Sequence, residues 1–251
     1  MQREQVELQG IQFPVAVRED GASIEIVELR SSKNLDQWAS ENHFGSERPW
    51  GIISSAKSKE ESFFLALSFR RVNRTRFKMQ SGRLSKQQEE ATEPEVGELH
   101  LRRDGALELY SVPAKQRNMI FQSLEESFTK ENLSPLTISK QSMLSLMEEA
   151  IEVSSVSLTG IGNPFFSDVT LSGSDPANSR TFKELLPQAT IKSFRAKFQV
   201  DSENEEQSSL MITISNNCKL RFYGGQGPLS QSDVEDYVSK VRKVASKSEQ
   251  P

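Results

Sequence analysis

The sequence predicts an α+β fold, an antiparallel sheet laid out twice along the chain with helices on one side of it. Three observations predict it. Apolar and polar residues alternate over short stretches bounded by turn residues, so each strand needs to bury only one face. These stretches come in groups closed by a long helical pattern, instead of alternating with helices one by one. The succession of strand, short helix, long strand, charged loop, hairpin and long helix then occurs a second time.

In the first half, PVAV (14–17) and SIEIVEL (23–29) flank a turn ending at Gly21 and read as strands. Asn34 to His43 is a short helix, with Ser31 or Ser32 near its N-cap. WGIIS (50–54) is a short strand. SFFLALSFRRV (62–72) is a strong one, too apolar to be exposed on both faces. From Asn73 to Gly97 no period is visible. Basic residues come first and Glu89, Glu90, Glu93 and Glu95 afterwards, so this tract reads as a mobile, opposed-charge insertion. GELHLRRDGALELYSV (97–112) is a hairpin: Leu99 and Leu101 alternate inward, Asp104-Gly105 turns, and Leu107 and Leu109 alternate outward. A helix over about 115–130 carries Ile120, Leu124 and Phe128 on one stripe.

After a polar break at ENLSP (131–135), a helical stretch runs over 139–150. SSVSLTG (154–160) and DVTLSG (168–173) have strand character. NSRTFKELLP (178–187) is a short helix stopped by Pro187. IKSFRAKFQV (191–200) is a strand, DSENEEQSS (201–209) an acidic loop, and ITISNNCKLRFYGG (212–225) a hairpin turning on Asn-Asn. A closing helix over about 230–247 buries Val234, Val238 and Val241. SFFLALSFRRV thus corresponds to IKSFRAKFQV, and ELHLRRDGALELY to LMITISNNCKLRFY. The domain expectation is a first repeat over 1–130, a connection over 131–150 and a second repeat over 151–251.

The 251 residues are 35% hydrophobic and 26% charged, enough to bury a good core. Net charge is −4, which excludes a uniformly basic protein and leaves room for a local basic face. No apolar run reaches the roughly 20 residues of a membrane helix, and the polar start MQREQVELQG has no signal-peptide core. The single cysteine, Cys218, excludes an internal disulfide and a cysteine zinc cluster, and an intracellular, reducing setting is expected. His43 and His100, the only histidines, have no ligands at metal spacing. Gly224-Gly225-Gln226-Gly227 lacks the lysine and serine of a phosphate loop and reads as a turn before a helix. No Gly-x-Ser-x-Gly elbow is present, and Glu125, Glu126, Glu148 and Glu149 fall on solvated helix surfaces. No catalytic constellation emerges, so a non-enzyme without a cofactor or small-molecule substrate is expected.

Leu185-Leu186-Pro187 before a long strand, the acidic turn, LMITISNNCKLRFYGG and the closing helix together resemble the TATA-box-binding protein (TBP) family. Lys219 and Gly224 fall at that family's lysine and glycine positions. GIGNPFFSDVTLSG (160–173) resembles the first strand and following loop of its second repeat. The first half is similar mainly through GELHLRRDGALELYSV and its helix. The resemblance implies a saddle of two tandem repeats, with helices on the convex side and a bare concave sheet that binds duplex DNA, AT-rich by preference, in the minor groove. It also implies a divergent transcription-initiation factor in the nucleus, with partners of the TFIIA and TFIIB kind.

Minor-groove binding needs an open sheet face with cations along its rim. Arg221 and Tyr223 are expected on that face, with Lys219 beside them and Leu220 and Phe222 packed beneath. Arg195 and Lys197, or Lys192 one register away, are expected to supply rim charge in the second half, and Arg102, Arg70 and Arg71 in the first. The family's phenylalanine wedge positions hold Thr190 and Ser215 in the second half and Arg102 in the first, so shallower bending and stronger salt dependence are expected. Trp50, Phe63 and Phe64 are the candidate wedges of the first repeat.

Other readings of the same residues stay open. The basic run from Arg70 to Lys86 is also what a solvated strand end balanced by its acidic sequel looks like, and Lys, Arg and Tyr are common on any exposed strand face. One alternative keeps the saddle as a scaffold for protein partners without DNA. A second is an RNA-processing endoribonuclease of two ferredoxin-like repeats, with His43 as general acid or base; it needs a strand order that a chain closing on a long helix does not offer.

Overall fold

The computed structural model describes residues 7–8, 11–12, 21–29, 35–43, 50–57, 61–80, 83–102, 104–128, 133–163, 166–199, 209–223 and 231–247. The strand expected at 14–17, the caps Ser31 and Ser32, the acidic loop over 201–208 and the turn at 224–227 lie outside these residues. In chain order the elements are β1 (Glu7–Leu8), β2 (Ile11–Gln12), β3 (Gly21–Leu29), α1 (Leu35–Glu41), β4 (Trp50–Lys57), β5 (Glu61–Gln80), β6 (Arg83–Arg102), β7 (Ala106–Tyr110) and α2 (Ala114–Ser127). There follow β8 (Leu133–Ile138), α3 (Lys140–Glu148), β9 (Glu152–Asn163), β10 (Phe166–Ser172), a 3-10 turn (Pro176–Asn178), α4 (Arg180–Leu185), β11 (Thr190–Gln199), β12 (Ser209–Ser215), β13 (Lys219–Tyr223), α5 (Gln231–Val244) and β14 (Ala245–Lys247).

β1 and β2 pair with each other; the other twelve strands form one antiparallel sheet in an α+β fold. Its main path is β10-β9-β11-β12-β13-β3-β7-β6-β5-β4. The two halves meet where β13 pairs β3, with Lys219 opposite Glu25 and Tyr223 opposite Gly21. Outward from that seam the order is β7-β6-β5 on one side and β12-β11-β9 on the other, so each half lays down its hairpin and then its long strand. The stretch read as a polar break is β8, which pairs β3 beyond the end of β13 and pairs β14 on its other edge. With α3, whose N-cap Ser139 accepts from the Ser142 amide at 3.0 Å, it packs Leu136, Ile138, Met143, Leu146 and Met147 into the second-half core.

The tight turns follow the sequence cues. Gly105 takes φ +86, a backbone state that costs an L-residue roughly 1–2 kcal/mol, and the Asp104 carboxylate accepts from the Ala106 amide at 3.1 Å. Cys218 accepts the same strain at φ +55, fully buried, and its carbonyl receives the Ile26 amide at 3.1 Å.

Two expectations are corrected. The tract 73–97 is not a loop: β5 and β6 pair without a bulge from Glu61 opposite Arg102 to Gln80 opposite Arg83. The opposed charges are what the ribbon brings together, as in Arg74–Glu93 at 2.7 Å and Arg76–Glu89 at 2.9 Å. No apolar period showed because both faces are exposed from Asn73 to Met79 and from Arg83 to Glu90.

Helices confined to one side of the sheet are the second. Directly opposed residues share a face, so the register fixes which core each strand feeds. Ala22, Ile24 and Ile26 of β3 join Leu220, Phe222, Ile212, Ile214 and Phe194 under α3, α4 and α5. Val27 and Leu29 point the other way and join Leu99, Leu107, Leu109 and Phe64 under α1 and α2. β3 is apolar on one face at Ala22, Ile24 and Ile26 and on the other at Val27 and Leu29, so it serves two cores, and the two helical layers lie on opposite faces of the sheet. The convex-side layer implied by the family resemblance does not hold.

Candidate nucleic-acid interface

The second-half core leaves the reverse face of its strands without a helix among the described residues. Leu220 and Phe222 are buried, which turns Lys219, Arg221 and Tyr223 to that face. Burying each such large apolar side chain contributes about 1.5–3 kcal/mol, and this fixes the alternation firmly. On β12 and β11 the same logic turns Met211, Thr213, Ser215, Ser193, Arg195 and Lys197 to that face, Arg195 exposed and the others half-buried.

The register lines these residues into rungs. Ser155, Arg195, Thr213, Arg221 and Ser23 stand directly opposite one another across five strands. With strands about 4.8 Å apart, that rung is about 20 Å long. The next rung holds Lys197, Met211 and Tyr223. Two guanidiniums lie over the Tyr223 ring: Arg195 Cζ is 4.2 Å from its centroid and Arg221 Cζ 5.1 Å. Its hydroxyl sits 3.2 Å from Thr213 Oγ1. Among the described residues neither arginine meets a carboxylate, so the stack holds two cations side by side at the centre of the open face. Cation–π contact of this kind is worth roughly 0.5–1 kcal/mol at an exposed site and orients the guanidinium planes.

Acidic residues bound the patch. Glu25 holds Lys219 at 3.3 Å and Arg117 of α2 at 3.0 Å, so Lys219 is already paired and α2 forms a wall beside the patch. Lys192, the alternative rim cation, is bound to Asp168 at 2.8 Å. That ammonium, then the Thr159 hydroxyl, hold the Asp168 carboxyl below the usual carboxylate range. Thr190 is exposed opposite Thr159 at the far end of the face, and Ser215 is half-buried opposite Ser193.

The first-half residues are not brought to this patch. Arg102 lies on the opposite face, because its neighbours Leu101 and Leu99 feed the α1–α2 core, and its guanidinium is spent on buried Glu108 at 2.8 and 3.0 Å. Arg70 and Arg71 stand opposite Glu93 and Thr92 in the β5–β6 ribbon, with β3, β7 and β6 between them and β13. Of the candidate first-half wedges, Trp50 and Phe64 are buried in the α1–α2 core and Phe63 packs edge-on against His100 at 4.6 Å. The sequence reading missed the serine-rich outer strand of the patch, where Ser157 Oγ and Thr170 Oγ1 are 2.9 Å apart. Its signal was the alternation in SSVSLTG, which places Ser155 and Ser157 on one face.

Among the described residues no three His, Cys, Asp or Glu side chains gather as metal ligands, and no described helix is long and apolar enough to cross a membrane. Compared with known proteins, the chain matches no family model and no curated sequence.

Proposed function

We propose that this protein is a non-enzymatic platform that binds duplex DNA through the open face of its second-half sheet. The observation that carries this is the stack of Arg195 and Arg221 on Tyr223, two guanidiniums without a carboxylate partner among the described residues, on a flat surface of Ser, Thr and Met. Guanidiniums held apart from carboxylates are available to phosphates, and hydroxyl-bearing neighbours donate to the same oxygens. The resemblance to TATA-box-binding proteins makes this a platform for transcription initiation, with helix surfaces left for protein partners. Because α1 and α2 occupy the corresponding face of the first half, contact is confined to the second half and the Arg117 wall. A saddle astride both halves is not part of the proposal.

The test is fluorescence anisotropy with short AT-rich and GC-rich duplexes over a salt series from about 50 to 200 mM, where polyanion binding weakens steeply. Arg195→Ala/Arg221→Ala is expected to fold normally, since both residues are exposed, and to flatten the log–log salt slope by about 1.8, at about 0.9 per phosphate contact. A wild-type protein that binds neither duplex, or a double variant with an unchanged slope, rules the reading out.

A further inference from the structure

The β5–β6 ribbon leaves the body of the protein. β4 pairs β5 only over Ser62–Ser68, and β7 pairs β6 only over Glu98–Leu101. From Asn73 to Met79 and from Arg83 to Glu90 every residue is exposed. At about 3.3 Å per residue the free arm is about 25 Å long. Its end is amphipathic in a specific way. Met79 stands opposite Leu84 and Phe77 opposite Lys86, so Phe77, Met79, Leu84 and Lys86 share one face. Arg76 opposite Gln87 and Lys78 opposite Ser85 share the other, where Arg83 also lies. Phe77, Met79 and Leu84 are 62%, 70% and 66% exposed. Large apolar side chains this bare, gathered at the end of an arm, mark a contact site.

The charge of the arm selects the partner. Between Asn73 and Gln88 the chain carries Arg74, Arg76, Lys78, Arg83 and Lys86 and no acid. A second copy of the same tip would be repelled. Arg74 and Arg76 are held by Glu93 and Glu89, which leaves Lys78, Arg83 and Lys86 as the cations of the tip that meet no carboxylate among the described residues. Three apolar side chains are a small anchor for a bilayer, and they match the wedges with which minor-groove proteins unstack a base step.

We propose that the β5–β6 arm is a second DNA-binding element, which inserts Phe77, with Met79 and Leu84, at a base step of a minor groove, while Lys86 on the same face and Lys78 and Arg83, reaching past the ribbon's edges from the reverse face, meet the flanking phosphates. This rests on the reading above for its ligand class, and it places the wedge on an arm instead of on the sheet.

The full-length chain is tested on an AT-rich duplex carrying 2-aminopurine and end-to-end energy-transfer dyes. Wild type is expected to raise 2-aminopurine fluorescence and bend the duplex. Phe77→Ser/Leu84→Ser alters only exposed side chains; it should abolish both signals and weaken binding about tenfold, or about 1.4 kcal/mol, without changing the salt slope. Lys78→Ala/Arg83→Ala should lower the slope by about 1.8. Arg195→Ala/Arg221→Ala should keep the unstacking signal while losing its own share of the slope. Arm variants that bind, unstack and bend like wild type overturn the arm's role even where the face variant is impaired. A face variant identical to wild type beside impaired arm variants overturns the face and supports the arm. Binding to phosphatidylglycerol vesicles in place of duplex, or a tip-dependent dimer in sedimentation, overturns the arm as a DNA element.

Discussion

Arg242, near the end of the last helix, donates from Nη1 to Glu108 Oε1 at 2.8 Å, and Glu108 is fully buried in the middle of the first half's sheet. The other oxygen of the same carboxylate accepts from Arg102 Nε and Nη2 at 3.0 and 2.8 Å and from the Tyr110 hydroxyl at 2.9 Å. One buried anion thus ties the C-terminal helix to the strand that follows the Asp104-Gly105 turn. Removing one member of a buried pair strands the others, at about 3–5 kcal/mol. Glu108→Gln is expected to lose about that much in urea unfolding. Arg242→Ala should lose less, since its side chain is 22% exposed. A Glu108→Gln protein as stable as wild type would show that the cluster does not join the halves.

β3 makes the two cores one cooperative unit. Ile26 is buried toward α5 and Val27 toward α2, one residue apart on the same strand. Ile26→Ala is expected to cost about 2–5 kcal/mol, and Val27→Ala less, in proportion to the methyl groups removed. Each should shift a single transition. Trp38 and Trp50 report on one core and the Cys218 thiol on the other, so near-ultraviolet dichroism and thiol accessibility should give coincident midpoints. Two separated midpoints would show independent halves.

The hairpins were legible because their information is local. Asp104-Gly105 and Asn216-Asn217 lie between alternating strands, and alternation alone sends Arg221 and Tyr223 to the face opposite Leu220 and Phe222. The β5–β6 arm was not legible, because a ribbon bare on both faces needs no apolar period and its charge pairs join residues such as Arg74 and Glu93 far apart in sequence. ENLSP hid β8 because its partners, β3 and β14, come from opposite ends of the chain. Helix sidedness depends on the register of β13 against β3, because a one-residue slip would turn Leu220 and Phe222 to the other face of the sheet. The available hint was SIEIVEL, apolar at both parities, which a strand covered on one face does not need. Arg102 looked like a surface cation for a related reason: the buried carboxylate that claims it is six residues away, across the turn.

Gly97 is where α2 approaches the sheet. A Cβ there would lie 2.7 Å from Val112 Cγ2, 3.1 Å from Val112 Cα and 3.0 Å from the amide oxygen of buried Gln116. Backbone stands among these contacts, so rotamer changes do not clear them. Gly97→Ala is expected to destabilise by about 1–3 kcal/mol, as overpacking does, measured by thermal or urea unfolding. Gly160→Ala, where φ is +71 but nothing lies within 4 Å, separates backbone strain from steric conflict. Equal losses at the two positions would show that close approach is not the cause at Gly97.

Stability should fall on the alkaline side, beginning with Cys218. Burial pushes its thiol up from 9.0 to about 12. Burial first, and then the neighbouring Glu108 carboxylate, raise the Tyr110 phenol well above its usual 10.0. In both cases the unfolded chain releases a proton that the native state retains, so the native state binds more protons and unfolding becomes easier as pH rises. The contribution of Cys218 is whole below about pH 9 and is lost progressively toward about pH 12; that of Tyr110 is lost above about pH 10. Unfolding free energies from pH 7 upward should therefore slope downward from about pH 9 in wild type. In Cys218→Ala the onset should move to about pH 10, and in Tyr110→Phe the steeper part above pH 10 should flatten. If the alkaline slope of Cys218→Ala matches that of wild type between pH 9 and 10, the buried thiol is not the group that titrates there.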